Sequence, residues 1–472
     1  MTAKPSSIAE LETWIEETLQ DAGTPGAAVD LERAGERLLA RGFGRRDVEA
    51  GPELDVETVF GCGSVTKSLT ALAILLLEEE GKLATSDAVS SHLPQLRLPG
   101  PPVAPITIYH LLTHTSGLPP LPSRHYAWLS QDDLETFERA ALERLPPREP
   151  IRSLEELIAF LSEYPFALHA PPGEQFSYSN EGYNLLGAIV ERVSGKSLPA
   201  FMHERILAPA GMNRSSLDLQ FTLGLPHVTK LHVRQDGKIV TSANWFNPAC
   251  WSAAGALRST ATDLVRYFRM LASDGLLDGV RIASVDSVRK MTRTYTARDH
   301  QIWYGYGLQV SDLSGHALAY HGGGQKGVAA FAGFAAAEGV VCAVLTNLAD
   351  SPVERIWAAC MRAALGLPPG PLHEPATPID LELDTLRSFA GAYHSPEAGR
   401  IRVVVDDSGR VRVTAGGVSA RALPVAKDSL MFAGPRGEQT IRFLRLGGSD
   451  VSHAFHGGRV ISRVETPAEG PH

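Results

Sequence analysis

The apolar residues of this chain follow two spacings in turn. Residues 8–19 repeat them at helical intervals and stop at Gly23. Residues 26–31 and 37–43 then read as two strands joined by a turn at Gly35. A short strand, Thr58-Val59-Phe60, leads into 64–81, a helix apolar on most faces and so expected to be buried. Further helices are expected over 108–118, closed by Gly117, and over 153–164, opened by the capping box Ser153-Leu154-Glu155-Glu156. Others follow at 183–193, 261–271 and 352–365.

From Tyr304 onward the spacing is that of strands, at 306–310, 318–321, 328–334 and 340–345. With strands at both ends and helices between them, one antiparallel sheet should join the N-terminal hairpin to the later strands. A helical subdomain then sits between them in sequence, and a cleft between sheet and helices is a natural place for a site.

Past residue 365 the pattern changes. Residues 366–378 carry five prolines in thirteen positions and read as a semi-rigid linker. Beyond them, short strands recur at 401–405, 411–413, 423–425, 429–432, 441–444 and 460–464. The expected fold class is therefore α+β. A main domain (1–365) of sheet and helices is followed by the linker (366–378) and a small antiparallel β-barrel (379–472). No motif in the barrel carries chemistry. Three roles stay open for it: supplying a loop to the cleft, mediating dimerisation into a homo-oligomer, or covering the sheet.

Composition removes some classes of function. Across 472 residues the net charge is −9, which gives no basic footprint for nucleic acid or for an anionic membrane. No apolar run is long enough to span a bilayer, and no signal peptide is encoded, so a cytoplasmic location is expected. The cysteines Cys62, Cys250, Cys342 and Cys360 are scattered, which argues against disulfides and structural zinc. Cys62 reads as a buried filler.

The candidate chemistry begins at Gly61-Cys62-Gly63-Ser64-Val65-Thr66-Lys67. Ser64 and Lys67 are three residues apart at a helix start and so share one face. An amine whose pKa is lowered by burial can take the proton of a neighbouring hydroxyl. The same spacing recurs at Ser287-Val288-Arg289-Lys290, among charged neighbours and with no glycine turn before it. That copy reads as a solvated helix face. Two more elements join the first copy. Tyr178-Ser179-Asn180 offers a phenol to relay a proton and an amide to hold the lysine. His321-Gly322-Gly323-Gly324 ends an apolar strand, and its glycines let a substrate backbone approach the sheet edge.

The order Ser-x-x-Lys, Tyr-x-Asn, then a basic residue followed by glycine resembles the serine β-lactamase and penicillin-binding protein superfamily. The tyrosine in the middle motif resembles its class C branch, with the D-aminopeptidases and family VIII carboxylesterases. Residues 111–118, 254–264 and 304–307 also look like signatures of that superfamily, and the resemblance covers roughly residues 8–365. The β-lactamases carry Lys-Thr-Gly where this chain has His321-Gly322-Gly323. Histidine there resembles the D-aminopeptidases and the peptide-cyclising, penicillin-binding-protein-type thioesterases, some of which carry lipocalin-like barrels.

The resemblance implies a serine hydrolase acting through an acyl-enzyme on amide or ester bonds. Ser64, Lys67, Tyr178 and His321 would be its catalytic residues. Asn180, Gly323 and Gly324 would bind the substrate and its oxyanion, and no metal or cofactor is needed. A small molecule or a short, D-amino-acid-containing peptide is the favoured substrate. The alternatives are a carboxylesterase of small acyl esters, a cyclase whose partner is a carrier-protein-bound peptide, and a catalytically silent sensor.

Overall fold

The computed structural model describes residues 8–465, except 49–50, 100–103, 132–134, 136–138, 140–141, 143–144, 236, 398 and 435–436. Its central feature is an eight-stranded antiparallel sheet. In chain order the strands are β1 (Gly26–Arg33), β2 (Glu36–Gly44), β3 (Thr296–Asp299), β4 (Ile302–Tyr304), β5 (Gln309–Leu313), β6 (His316–Gln325), β7 (Val328–Ala335) and β8 (Val340–Thr346). Across the sheet they run β2, β1, β8, β7, β6, β5, β4, β3. The N-terminal hairpin thus pairs with the later strands, as the pattern predicts. The strand expected at 306–310 forms instead as β5, three residues later, and β3 and β4 precede it. The strand expected at 318–321 continues through all three glycines to Gln325.

The sheet is covered on both faces, which explains the apolar run of β8. Val340, Cys342 and Val344 enter one core, while Val341, Ala343 and Leu345 enter the other. The first core is closed by helices α1 (Ile8–Asp21) and α5 (Val353–Leu365), whose Trp357 donates its indole N–H to the Cys342 carbonyl at 3.0 Å. The second core contains α2 (Thr66–Glu79), α3 (Asn180–Ser194) and α4 (Ala261–Ala272). Every residue of α2 from Thr66 to Leu77 is buried, as its all-round apolar surface requires.

The proline-rich segment after α5 is held at two points. Leu372 packs into the core beneath α1 and α5, and His373 shares a 3.0 Å hydrogen bond with Tyr320. Eight strands between Gly391 and Val464 then close an antiparallel barrel with its own apolar interior. A further cluster joins the barrel to the main body: Phe455 and Val460 pack with Phe176 and Tyr304, with Tyr178 beside them. This seam places one end of the barrel against the loop that carries Tyr178. Among the described residues no helix is long and apolar enough to cross a membrane.

Candidate active site

The chain reaches Ser64 through a two-residue strand, Phe60–Gly61, paired with Arg258–Ser259. A single 3-10 turn, Gly63–Val65, follows, and α2 begins at Thr66. The Thr66 hydroxyl locks the turn by donating to the Gly63 carbonyl at 2.6 Å and accepting from the Leu257 N–H at 3.0 Å. Gly63 has φ 49°, and a Cβ there would lie 2.6 Å from the Gly324 nitrogen. A Cβ on Gly323 would run into the Cys62 carbonyl oxygen and reach within 2.9 Å of the Ser64 nitrogen. The glycine stretch of β6 therefore lies directly against the serine turn, and only glycine fits at these two positions. Ser64 stays half-buried while Cys62, the expected filler, is fully buried.

Lys67 is fully buried in the first turn of α2. Its Nζ lies 2.7 Å from the Ala254 carbonyl, 2.9 Å from Asn180 Oδ1 and 3.2 Å from Ser64 Oγ. Burial, reinforced by the Arg459 charge, lowers its pKa well below the ordinary lysine value, and Glu397 and Glu181 oppose the shift only in part. A neutral amine has two N–H groups and one lone pair. The Ala254 and Asn180 oxygens can only accept, so they take both N–H groups. The lone pair is left facing the Ser64 hydroxyl.

Lys290, in the second serine–lysine pair, has the opposite surroundings. Its Nζ bonds Asp286 at 2.9 Å and Glu78 at 3.1 Å. The Asp286 bond leads in raising its pKa, so it stays an ammonium. Its Ser287 is buried and tucked under Ser284, the N-cap of that helix.

The Tyr178 ring lies 4.8 Å from Lys67 Nζ, and the Ser64 side chain acts on its phenol, opposing burial. Burial raises the phenol to about 12, so it is neutral near pH 7 and able to donate. Asn180 opens α3, but the helix is capped by Ser179, whose Oγ accepts from the Gly182 N–H at 3.0 Å. Beneath this loop His114 packs 4.2 Å from the Tyr178 ring, and its Nδ1 accepts from the Ser179 N–H at 3.1 Å. Burial holds His114 neutral, which that acceptor role requires. The Ala253–Ala254 segment is tied down by Thr70, which donates to the Ala253 carbonyl at 2.7 Å, and by Asn184, which accepts from the Ala254 N–H at 3.1 Å.

His321 is in the same cluster, its ring centroid 6.3 Å from that of Tyr178. Burial and the nearby Lys67 lower its pKa to about 3, so it carries one N–H. That N–H, on Nδ1, donates to the Gly322 carbonyl at 2.6 Å, and Nε2 accepts from the Tyr304 hydroxyl at 3.0 Å. Both nitrogens are thus bonded within the protein.

The motif reading does not include a pair of residues that the barrel brings in. Glu397 Oε1 accepts from Asn180 Nδ2 at 2.9 Å. Arg459 grips Glu397 with two bonds, Nη2 to Oε1 at 2.7 Å and Nε to Oε2 at 3.0 Å, and its guanidinium lies 5.1 Å from the Tyr178 ring centroid. Burial alone would raise the Glu397 carboxyl, but Arg459 outweighs it and holds the carboxyl below its usual range. Next to Asn180, the buried Glu181 accepts from Ser123 at 2.5 Å and Ser179 at 3.1 Å. Burial and the Glu397 charge raise Glu181 to about 7. Glu397 lies in a barrel turn and Arg459 opens the last barrel strand, and no local sequence signal marks either.

A serine and a neutral lysine on one helix face, beneath a Tyr-x-Asn loop and beside a glycine strand, occur here within a sequence that matches a known family. Residues 11–364 match the Beta-lactamase family. The chain belongs to that family. An uncharacterized protein of Mycobacterium tuberculosis (strain CDC 1551 / Oshkosh) is 32% identical over 320 residues, covering 62% of this chain and 76% of that protein. Among solved structures, the octameric penicillin-binding protein homologue from Pyrococcus abyssi is 28% identical with a TM-score of 0.67, covering 96% of this chain and 100% of that one. A D-stereospecific amidohydrolase from Streptomyces sp. shares the fold at 23% identity and a TM-score of 0.59, over 76% of this chain and 98% of its own. The beta-lactamase fold is thus common to this chain and to hydrolases of several kinds, and the first of these structures matches the barrel region as well.

Proposed function

We propose that the protein is a serine hydrolase that cleaves amide or ester bonds through an acyl-enzyme on Ser64, with D-amino-acid-containing or other short peptides as favoured substrates. The bonding of Lys67 Nζ carries this reading. Two acceptor-only neighbours take its N–H groups, so its lone pair faces the Ser64 hydroxyl 3.2 Å away. Ser64 Oγ attacks the substrate carbonyl and its proton passes to Lys67. The resulting ammonium bonds the same acceptors and lies beside the ring faces of Tyr178 and Tyr183, at 4.8 and 5.6 Å from their centroids. The backbone N–H groups of Ser64 and Gly324 hold the oxyanion, a donor of this kind contributing about 3 kcal/mol. Neutral Tyr178 passes its proton to the leaving group and takes the Lys67 proton in its place, which leaves Lys67 neutral again. Water then attacks the acyl-enzyme with Lys67 as base.

In this scheme His321 orients Tyr304 and the glycine strand and carries no positive charge. That leaves no cation at this position to hold a substrate carboxylate, which supports peptides or esters over β-lactams. The test is labelling with a fluorophosphonate, together with turnover of p-nitrophenyl esters and of D- and L-amino-acid p-nitroanilides. A covalent adduct on the native chain and none on Ser64→Ala is expected, with D-anilides turned over. No adduct on either protein would overturn the assignment, and turnover of esters alone would overturn the peptide preference.

A further inference from the structure

The side-chain amide of Asn180 has nearly the same shape either way round, but its two orientations have opposite effects on Lys67. With Oδ1 toward Lys67, the amide takes an N–H and the lone pair is left for Ser64. With Nδ2 toward Lys67, the amide would donate to the lone pair and block the base. Glu397 decides between them. A carboxylate only accepts, so the end of Asn180 that faces it at 2.9 Å must be Nδ2. Glu397 is itself held by the two-pronged grip of Arg459. The turn preceding Arg459 is pinned to the catalytic loop, for the Tyr178 N–H donates to the Gly458 carbonyl at 2.8 Å. On the far side of Arg459, the Val460 N–H donates to Ser177 Oγ at 3.3 Å. The barrel is therefore fastened to the Tyr-x-Asn loop on both sides of the Arg459 side chain.

We propose that Glu397, clamped by Arg459, is a positioning residue for the Ser64–Lys67 pair, fixing the Asn180 amide so that the Lys67 lone pair stays on Ser64. This rests on the acyl-enzyme reading above and assigns the barrel a part in the reaction. Neither Glu397 nor Arg459 needs to touch the reacting atoms.

The test uses the full-length chain with Glu397→Gln, whose amide can present either end to Asn180 and so no longer dictates its orientation. Turnover of a p-nitrophenyl ester is measured alongside the titration of Lys67, read by 15N NMR of its side-chain nitrogen. The kcat should fall about tenfold or more, with KM changed by less than about twofold. The Lys67 titration should move to lower pH, since a facing carboxylate is lost and Arg459 is left uncompensated. The other ionisable groups facing Lys67 are Glu181, Arg124, Tyr178, Tyr183, His114 and His321; of these, Glu181 loses the Glu397 charge that helps raise it, ionises more readily and offsets part of the shift. Glu397→Asp, which keeps the charge, should keep the titration and recover part of the kcat.

A folded Glu397→Gln protein with native kcat and an unmoved Lys67 titration would overturn the proposal. If the native chain shows no Ser64-dependent turnover, the hydrolase reading fails, and the Lys67 titration still decides the positioning role. If the Gln variant does not fold, Arg459→Lys, which loses the two-pronged grip, decides the question. A reduced kcat at constant KM is expected of it, and native kcat would overturn the proposal.

Discussion

Lys67 and Lys290 each follow a serine by three residues on a helix, and their neighbours give them opposite protonation states. Lys67 is removed from water without a carboxylate in direct contact, whereas Lys290 has two. Lys67→Met keeps the bulk and removes the base, so acylation should fall by about 10²–10⁴-fold. In the native protein kcat/KM should rise with pH as Lys67 loses its proton, and should do so below the ordinary lysine range because burial lowers that pKa. This limb should vanish in the Met variant, and its persistence in a pH–rate profile would show that another group is the base. The glycines of β6 separate in the same way. Gly323→Ala drives a methyl into the serine turn and should abolish acylation. Gly324→Ala keeps its N–H, has only the Val328 carbonyl at 4.0 Å, and should stay active. Comparable loss in both variants would contradict this account of the interlock.

At the scale of elements, local rules were a good guide wherever partners are close in sequence. The buried helix after Ser64, the N-terminal hairpin and six of the eight barrel strands are legible from spacing, whereas the strands at Gly391–Ser395 and His453–His456 are not. Boundaries shifted where a side chain outside the apolar pattern takes over. Helix α3 starts at Asn180, three residues before its apolar stripe, because Ser179 caps it. The Tyr-x-Asn loop and the helix thus share a residue. Ser179→Ala removes the acceptor for the Gly182 N–H and should lower stability by about 1 kcal/mol, as measured by urea unfolding. A loss below about 0.3 kcal/mol would mean that the cap contributes little. The continuation of β6 through three glycines could not be read from propensity, which disfavours glycine in strands. It is paired with β7 at every position from Ala319 to Gln325.

For the whole molecule, the unread part of the site is a matter of distance along the chain. Asn180 and Glu397 are 217 residues apart, and only the closed fold brings them together. Burial also sets how stability depends on pH. It lowers His321 to about 3, His169 and His373 to about 4, and His114 well below its ordinary value. The unfolded chain takes up these protons near pH 6.5, before the folded one does. Stability is therefore full above about pH 6.5 and falls as pH drops below it, each histidine contributing up to about 1.4 kcal/mol per pH unit. Glu181 acts in the opposite sense: raised to about 7, it holds a proton in the folded state that the unfolded chain releases between its ordinary 4.5 and about 7. Among the described residues nine histidines are lowered, His110, His125, His232, His394 and His453 with these four, against four raised carboxylates, Asp30, Asp263 and Glu354 with Glu181, so the melting temperature should fall between pH 6.5 and 5. A rise over that interval in a calorimetric series would refute the balance.

The dispersal of the site also has a consequence in time. Lys67 and Glu397 are separated by 330 positions. At typical synthesis rates of 5–20 residues per second, the ribosome adds that stretch in about 20–60 s. Through that interval a nascent chain carries its serine and lysine but not the carboxylate that orients the amide between them. With Glu397 in this role, hydrolytic competence is conferred among the last steps of translation, and a prematurely terminated product is a poor acyl acceptor.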